Sequence, residues 1–423
     1  MNNSLTLCMV SVILAFTFIP ASAQEFKAGA AKRVITPDPL LPVSGGVGTP
    51  EPATEKRGDL WTRALVFEQG NTRVALVSID NLGWPAYWGD KTRKLVPEIP
   101  PENILIGATH THSAPDAYGF PDEELKHHAD LNYLEWAAAQ AADAVKEALK
   151  NLQPASLKIA VGEAKGKIAY NYYAPQLYDP RCGVIQAVSR DGGAIATLVN
   201  YAIHPEVIGD DKGIISPDLC GPLYERIEGQ AGGMALFMNS AQGGMVTADN
   251  RSPDGDREVW EECVRIGELL AGEALRIVSD APIQKTPALH CAAKDIQLTV
   301  SSPLMQMVLL NSPLAETMPD VNAVPTRINL VTLGSAHLLT IPGEALPNIG
   351  YYLKRHMPTP HAFLLGLTND AFGYMLTKYD FNSFERYDYI SETSLGEMVG
   401  EEYMEAALSL IRETPKPDAV PAQ

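Results

Sequence analysis

The stretch 104–116, ILIGATHTHSAPD, closes an apolar run with two histidines one residue apart, His110 and His112, in a chain that has nine histidines in all. Read as the end of a buried strand, this spacing puts both imidazoles on one face, because successive side chains of a strand point to opposite sides. Two imidazoles gathered in a dry place cost desolvation unless something uses their lone pairs, and a metal ion does so. Other groups able to bind metal close other apolar runs: His204 ends NYAIHP, Glu344 sits in IPGEALP, and Tyr374 follows AFLLGLTND. Each has a plainer reading too. A lone buried imidazole is more often a satisfied core residue, and Glu344 suits a helix N-terminus, where the dipole favours a carboxylate. His127 and His128 lie in the polar stretch EELKHHADLN and read as solvated, while His290, His337, His356 and His361 show no partner pattern.

The elements that must position these groups are apolar runs at 73–80, 103–113, 194–205, 234–240, 328–343 and 362–367, read as buried strands. Amphipathic helical stretches at 131–151, 257–280 and 395–413 lie between or after them. Strands alternating with helices predict an α/β fold, a mixed β-sheet core flanked by helices. The candidate residues all follow strands, so the site is expected at the C-terminal ends of those strands, where open α/β sheets bind ligands. Ser216 followed by Pro217 reads as an N-cap and first-turn proline, predicting a short helix within 213–229. The Gly- and Pro-rich segment 37–58 reads as a surface loop, and the tail TPKPDAVPAQ, 414–423, as disordered.

Residues 1–23 read as a signal peptide: an apolar stretch followed by Ala21-Ser22-Ala23, with cleavage expected after Ala23 and an uncleaved anchor as the alternative, since no basic n-region precedes it. A secreted or periplasmic protein follows from that reading. A formal charge of −18 argues against nucleic-acid binding, which needs clustered Lys and Arg. Beyond the leader stand Cys182, Cys220, Cys263 and Cys291, with no C-x-x-C pair; three disulfide pairings fit four cysteines, and the spacing does not choose among them.

Taken together the motifs resemble the neutral/alkaline, non-lysosomal ceramidases, in particular their N-terminal catalytic domain. GATHTHSAPDAYG is similar to the family's T-H-T-H-S-G-P-x-G-Y, NYAIHPEVI to N-[FW]-x-x-H-P, IPGEALP to P-G-E, and GLTNDAFGYMLT with ERYDY to G-L-x-N-x-Y-x-x-Y-I-T-T and Q-R-Y-E. They come in the family's order and span most of 27–412, which sets a ceramidase-like catalytic domain at 24–413. The resemblance implies one Zn2+ held by His110, His204, Glu344 and Tyr374. His112 is then left as a group beside the metal or facing the substrate, and Tyr387 as the tyrosine that hydrogen-bonds the reacting carbonyl. Two imidazoles, a carboxylate and a phenol oxygen form an acceptable zinc set. The implied reaction is hydrolysis of an amide or ester by zinc-activated water, with His112 or Glu344 passing a proton to the leaving group.

The chain also departs from the family. Where members carry N-x-G-D-x-S-P-N, this sequence has SAQGGMVTADN (240–250), with Gly244 at the aspartate and Val246 at the serine; only Ser240 or Thr247 could replace that hydroxyl. Asn171-Tyr172-Tyr173-Ala174 replaces N-R-S-P and loses the arginine that faces the ceramide head group. The chain stops at Gln423, with no length for the C-terminal immunoglobulin-like domain of longer members. The expectation is therefore a hydrolase of an N-acyl or related small molecule or lipid that is not ceramide-specific. Its alternative is a non-catalytic, metal-containing binding protein on the same fold. Peripheral membrane contact and the oligomeric state stay open.

Overall fold

The computed structural model describes residues 24–317 and 320–421, so the leader read at 1–23 lies outside the described residues. The apolar runs form strands, most of them ending earlier than the runs do. A large sheet takes β1 (Phe26–Val34), β2 (Trp61–Gln69), β3 (Thr72–Ile79), β4 (Ile104–Ala108), β5 (Gln153–Glu163), β6 (Arg181–Ser189), β7 (Ala194–Tyr201) and β8 (Met234–Asn239). Its order is β8-β7-β6-β5-β1-β2-β3-β4, with the short strand Ile283–Gln284 added beside β5. A second sheet runs β9 (Leu289–Thr299), β10 (Ala323–Leu333), β11 (Ala336–Thr340) and β12 (His361–Leu365). Hairpin neighbours are antiparallel, whereas β3/β4, β7/β8 and β11/β12 are parallel, so the sheets are mixed as expected.

The layers stack helix, sheet, sheet, helix. Apolar side chains of the two inner faces, such as Leu76, Leu198 and Leu236 against Val331, Leu338 and Phe363, interlock as the central core. The outer face of the large sheet is covered at one end by α1 (Ala86–Lys94) and α2 (Leu131–Lys150), and at the other by α3 (Cys220–Ala231) and α4 (Trp260–Ser279). Asp130 starts α2 by accepting from the N–H groups of Asn132 and Tyr133. The alanine-rich buried face of α2 brings it onto β1 so closely that a Cβ at Gly29 would stand 2.2 Å from the Ala148 carbonyl oxygen. The tip of the β9/β10 hairpin carries α5 (Pro303–Asn311), and α6 (Pro347–His356) with α7 (Val399–Glu413) covers the second sheet. Among the described residues no helix is long and apolar enough to cross a membrane.

Two buried asparagines clamp the strand ends together. Asn200 Nδ2 donates to the carbonyls of Met238, Asn239 and Leu364, joining the two sheets, and Asn239 Nδ2 donates to those of Thr109 and Ile203. Leaving such carbonyls unpaired would cost about 1–3 kcal/mol each, so the segments carrying His110 and His204 are fixed to one another.

Three local expectations differ from what is observed. The helix expected at Ser216-Pro217 begins only at Cys220, because Asp218 adopts a left-handed φ of 51° and its carboxylate accepts from the Ile208 and Leu219 N–H groups. Segment 37–58 is partly tied down, with Glu55–Lys56 pairing in parallel with Ile214–Ile215. The tail is also held as far as Asp418: the Pro415 carbonyl accepts from Thr332 and His337, and Asp418 accepts from the Ala288 N–H while donating to the Gly334 carbonyl. Backbone groups of a polar, proline-rich segment found partners around the β10/β11 turn, which composition does not reveal. All four described cysteines are free thiols, three of them buried.

Candidate metal centre

His110, His204, Glu344 and Tyr374 each follow a strand belonging to one of the three parallel pairs, and they meet at one end of the two sheets. The two histidines of the HTH motif do not meet by strand alternation. β4 stops at Ala108, and His110 takes a left-handed φ of 74°, so the chain turns back at that residue. Convergence results all the same: the His110 ring centroid lies 4.8 Å from that of His112 and 4.7 Å from that of His204. Glu344 is not a helix-start carboxylate either. It lies in a short strand, Gly343–Ala345, paired in parallel with Phe372–Met375, and this pairing sets Glu344 beside Tyr374 before α6 begins at Pro347.

Backbone carbonyls orient the two buried imidazoles. His110 Nδ1 donates to the Leu82 carbonyl at 2.6 Å and His204 Nδ1 to the Val246 carbonyl at 2.9 Å. With Nδ1 committed, Nε2 of each ring turns inward, and both reach the same carboxylate oxygen: Glu344 Oε2 is 3.1 Å from His204 Nε2 and 3.4 Å from His110 Nε2. Tetrahedral zinc with bonds of 2.0–2.2 Å requires ligand atoms about 3.3–3.6 Å apart, close to these separations. The ligand nitrogens of His110, His112 and His204 all lie within 4.8 Å of one another, and this group could hold a metal ion.

The electrostatics follow from burial and from these contacts. Burial disfavours the His204 imidazolium, but the Glu344 hydrogen bond and the charges of Glu206 and Glu344 outweigh it and raise its pKa to about 9. Burial likewise opposes ionisation of Glu344, yet the His110 charge and hydrogen bonds from both imidazoles hold it well below the usual carboxylate range. His112 is pushed well below its ordinary value, first by burial and then by the neighbouring His110 and His204. Its Nε2 is buried without a hydrogen-bond partner among the described residues, and the Glu206 carboxylate lies 3.8 Å away.

Tyr374 is buried, with its hydroxyl 3.0 Å from Met245 Sδ; burial and the Glu344 charge push its phenol well above its ordinary value. Tyr387 is placed elsewhere than expected. It packs on Tyr173 and Phe384, each 5.3 Å away between centroids, and does not line the pocket; Tyr389 does, 5.9 Å from Tyr374. The 385–387 turn and the short helix after it set the two phenols apart, the first half-buried against Tyr173 and Phe384 and the second at the pocket.

His110, His112, Glu344 and Tyr374 line a pocket whose walls are largely apolar, including Val47, Leu82, Phe120, Met305, Leu309 and Phe372. Helix α5 supplies the Met305–Leu309 side of that wall. His127 and His128 stand exposed outside it, His128 pairing with Asp122. Val246 keeps a part at the position where the family serine is missing: its carbonyl accepts both the N–H and Nδ1–H of His204. Sequence reasoning missed Glu206, although it follows His204-Pro205 directly, and Tyr389, only two residues beyond the tyrosine it chose.

Neither a protein-family model nor a curated protein matches the sequence. Solved structures share the architecture, and two of them define it. Neutral ceramidase from Pseudomonas aeruginosa superposes with a TM-score of 0.73 at 16% identity, covering 94% of this chain and 77% of that one. A ceramidase complexed with C2 superposes with a TM-score of 0.75 at 17% identity, with the same 94% and 77% coverage. The chain thus has the neutral-ceramidase fold that its motifs led one to expect, a resemblance that at these identities speaks for the fold.

Proposed function

We propose that this chain is an exported zinc hydrolase that cleaves the amide, or ester, bond of an N-acyl lipid or related small molecule. The observation that carries the reading is the convergence of His110 Nε2 and His204 Nε2 on one oxygen, Glu344 Oε2, beside a pocket that His110 and Glu344 line. In this reading His110, His204, Glu344 and Tyr374 hold the ion. Bound there, a zinc ion would supply an acidified water and a Lewis acid beside the acyl carbonyl. The chain's own residues do the rest. The Leu82 and Val246 carbonyls keep the two imidazoles in the metal-binding tautomer. Hydrolysis adds water oxygen to the acyl carbon, breaks the bond to the leaving nitrogen and delivers a proton to it. His112, held neutral by burial, with Glu206 beside it, is placed to take a proton from the water and return it to the nitrogen.

The apolar walls suit an acyl chain. The fold neighbours are ceramidases, which favours a ceramide-like amide, but Val246 and exposed Tyr172 stand where polar head-group contacts are expected. Turnover of simpler N-acyl amides above ceramide follows from that loss. A panel of acyl amides and esters, ceramide included, assayed with and without chelator tests the reading. Chelator-sensitive release of fatty acid supports it; no release by protein with zinc bound favours the non-catalytic binding protein.

A further inference from the structure

Three phenols surround the histidine group, and they differ in what their hydroxyls do. That of Tyr374 is engaged by Met245 Sδ. Tyr389 lines the mouth and is 52% exposed, so its hydroxyl stands in competition with bulk water. Tyr118 lines the same pocket, its main chain anchored by the Asp116 carboxylate and by Ser312, yet its hydroxyl makes no hydrogen bond among the described residues.

The turn 81–83 positions both this hydroxyl and His110. The Asn81 carbonyl accepts from the His110 N–H and the Leu82 carbonyl from its Nδ1, while the Tyr118 hydroxyl packs against the next residue, Gly83. A Cβ at Gly83 would stand 1.8 Å from that hydroxyl oxygen, so only glycine leaves it room beside the loop that aims the imidazole. Burial, with the charges of Glu344, Asp370 and Asp116, pushes this phenol well above its ordinary value, which keeps it a neutral O–H donor. A donor held in place, partnerless and facing a pocket is what a developing oxyanion requires.

We propose that Tyr118, rather than Tyr387, donates the hydrogen bond to the reacting carbonyl oxygen of the substrate and is a catalytic residue of this site. The assignment rests on the hydrolase reading for its turnover arm but not for its binding arm. Y118F removes one oxygen that holds no protein partner, so zinc content and Tm should match wild type. On any N-acyl substrate turned over, kcat should fall about 100-fold with KM changed less than about twofold, the pattern of a bond formed in the transition state. Dodecylphosphonate, whose charged oxygens imitate the tetrahedral intermediate, should bind Y118F about tenfold more weakly than wild type by calorimetry, a loss of one hydrogen bond. Phosphonate binding that depends on Tyr118 in a protein without turnover would refute the hydrolase and, with it, the catalytic role, leaving Tyr118 as an oxyanion-binding residue of a non-catalytic site. Wild-type kcat in Y118F, a larger kcat loss in Y387F than in Y118F, equal phosphonate affinity in Y118F and wild type, or no phosphonate binding by wild type would each overturn it.

Discussion

Substituting Gly243 tests whether the metal centre depends on where the backbone puts Glu344. Gly243 is not a ligand, and its N–H donates to the Ala345 carbonyl at 3.0 Å, alongside the short strand that carries Glu344. A Cβ there would lie 2.1 Å from the Glu344 carbonyl oxygen and 2.7 Å from its carbonyl carbon. Relief to ordinary van der Waals contact needs about 1 Å of movement, several times the tolerance of about 0.2 Å on a metal–ligand distance. Gly243→Ala should therefore weaken zinc affinity about 10–100-fold, the range for disturbed supporting residues, and destabilise by about 1–3 kcal/mol through overpacking. Competition with a chromophoric chelator and thermal unfolding measure the two effects. Gly229→Ala, whose added methyl meets open space on α3, is the control and should leave zinc affinity unchanged. Wild-type zinc affinity in Gly243→Ala would refute the reasoning, since Glu344 would then bind no metal or move freely.

Two further outcomes follow from the same geometry. Burial raises the Asp370 pKa to about 7 from an ordinary 3.8, so the folded state keeps a proton that the unfolded chain releases in that window. The contribution of Asp370 to stability should thus fall as pH rises from about 4 to 7, by at most roughly 4 kcal/mol; Asp370→Asn should remove that contribution and make the pH slope of stability in urea titrations less negative than in wild type, and an unchanged slope would contradict the account. His112→Ala should retain its zinc while kcat falls about 100-fold or more, checked by metal analysis beside steady-state kinetics; loss of zinc would make His112 a ligand.

The residues that sequence reading named at the site are brought together partly by another route than the one expected. His110 and His112 were expected to converge through strand alternation, whereas a left-handed turn at His110 brings them together. The apolar run continues through that turn, so hydrophobicity alone cannot mark where β4 ends. The strands and long helices were legible because their apolar periodicity is local; α2 and α4 match within a few residues. The two-sheet stacking was not, since pairings such as β11 with β12 and the clamps at Asn200 and Asn239 depend on contacts far apart in sequence. Tyr118 was quoted only as part of a motif, and its orphaned hydroxyl depends on Gly83, 35 residues earlier. Tyr387 and Tyr389 stand on either side of the start of one short helix, and motif spacing does not tell which of the two lines the pocket.

The central claim is that His110, His204 and Glu344 hold one zinc ion with Tyr374. Anomalous diffraction at the zinc edge, from crystals of protein loaded with one equivalent of zinc, tests it most directly. The account predicts a single strong peak about 2.0–2.2 Å from His110 Nε2, His204 Nε2 and Glu344 Oε2. A structure with no peak between those three atoms, or with its zinc bound at another place on the chain, would contradict it.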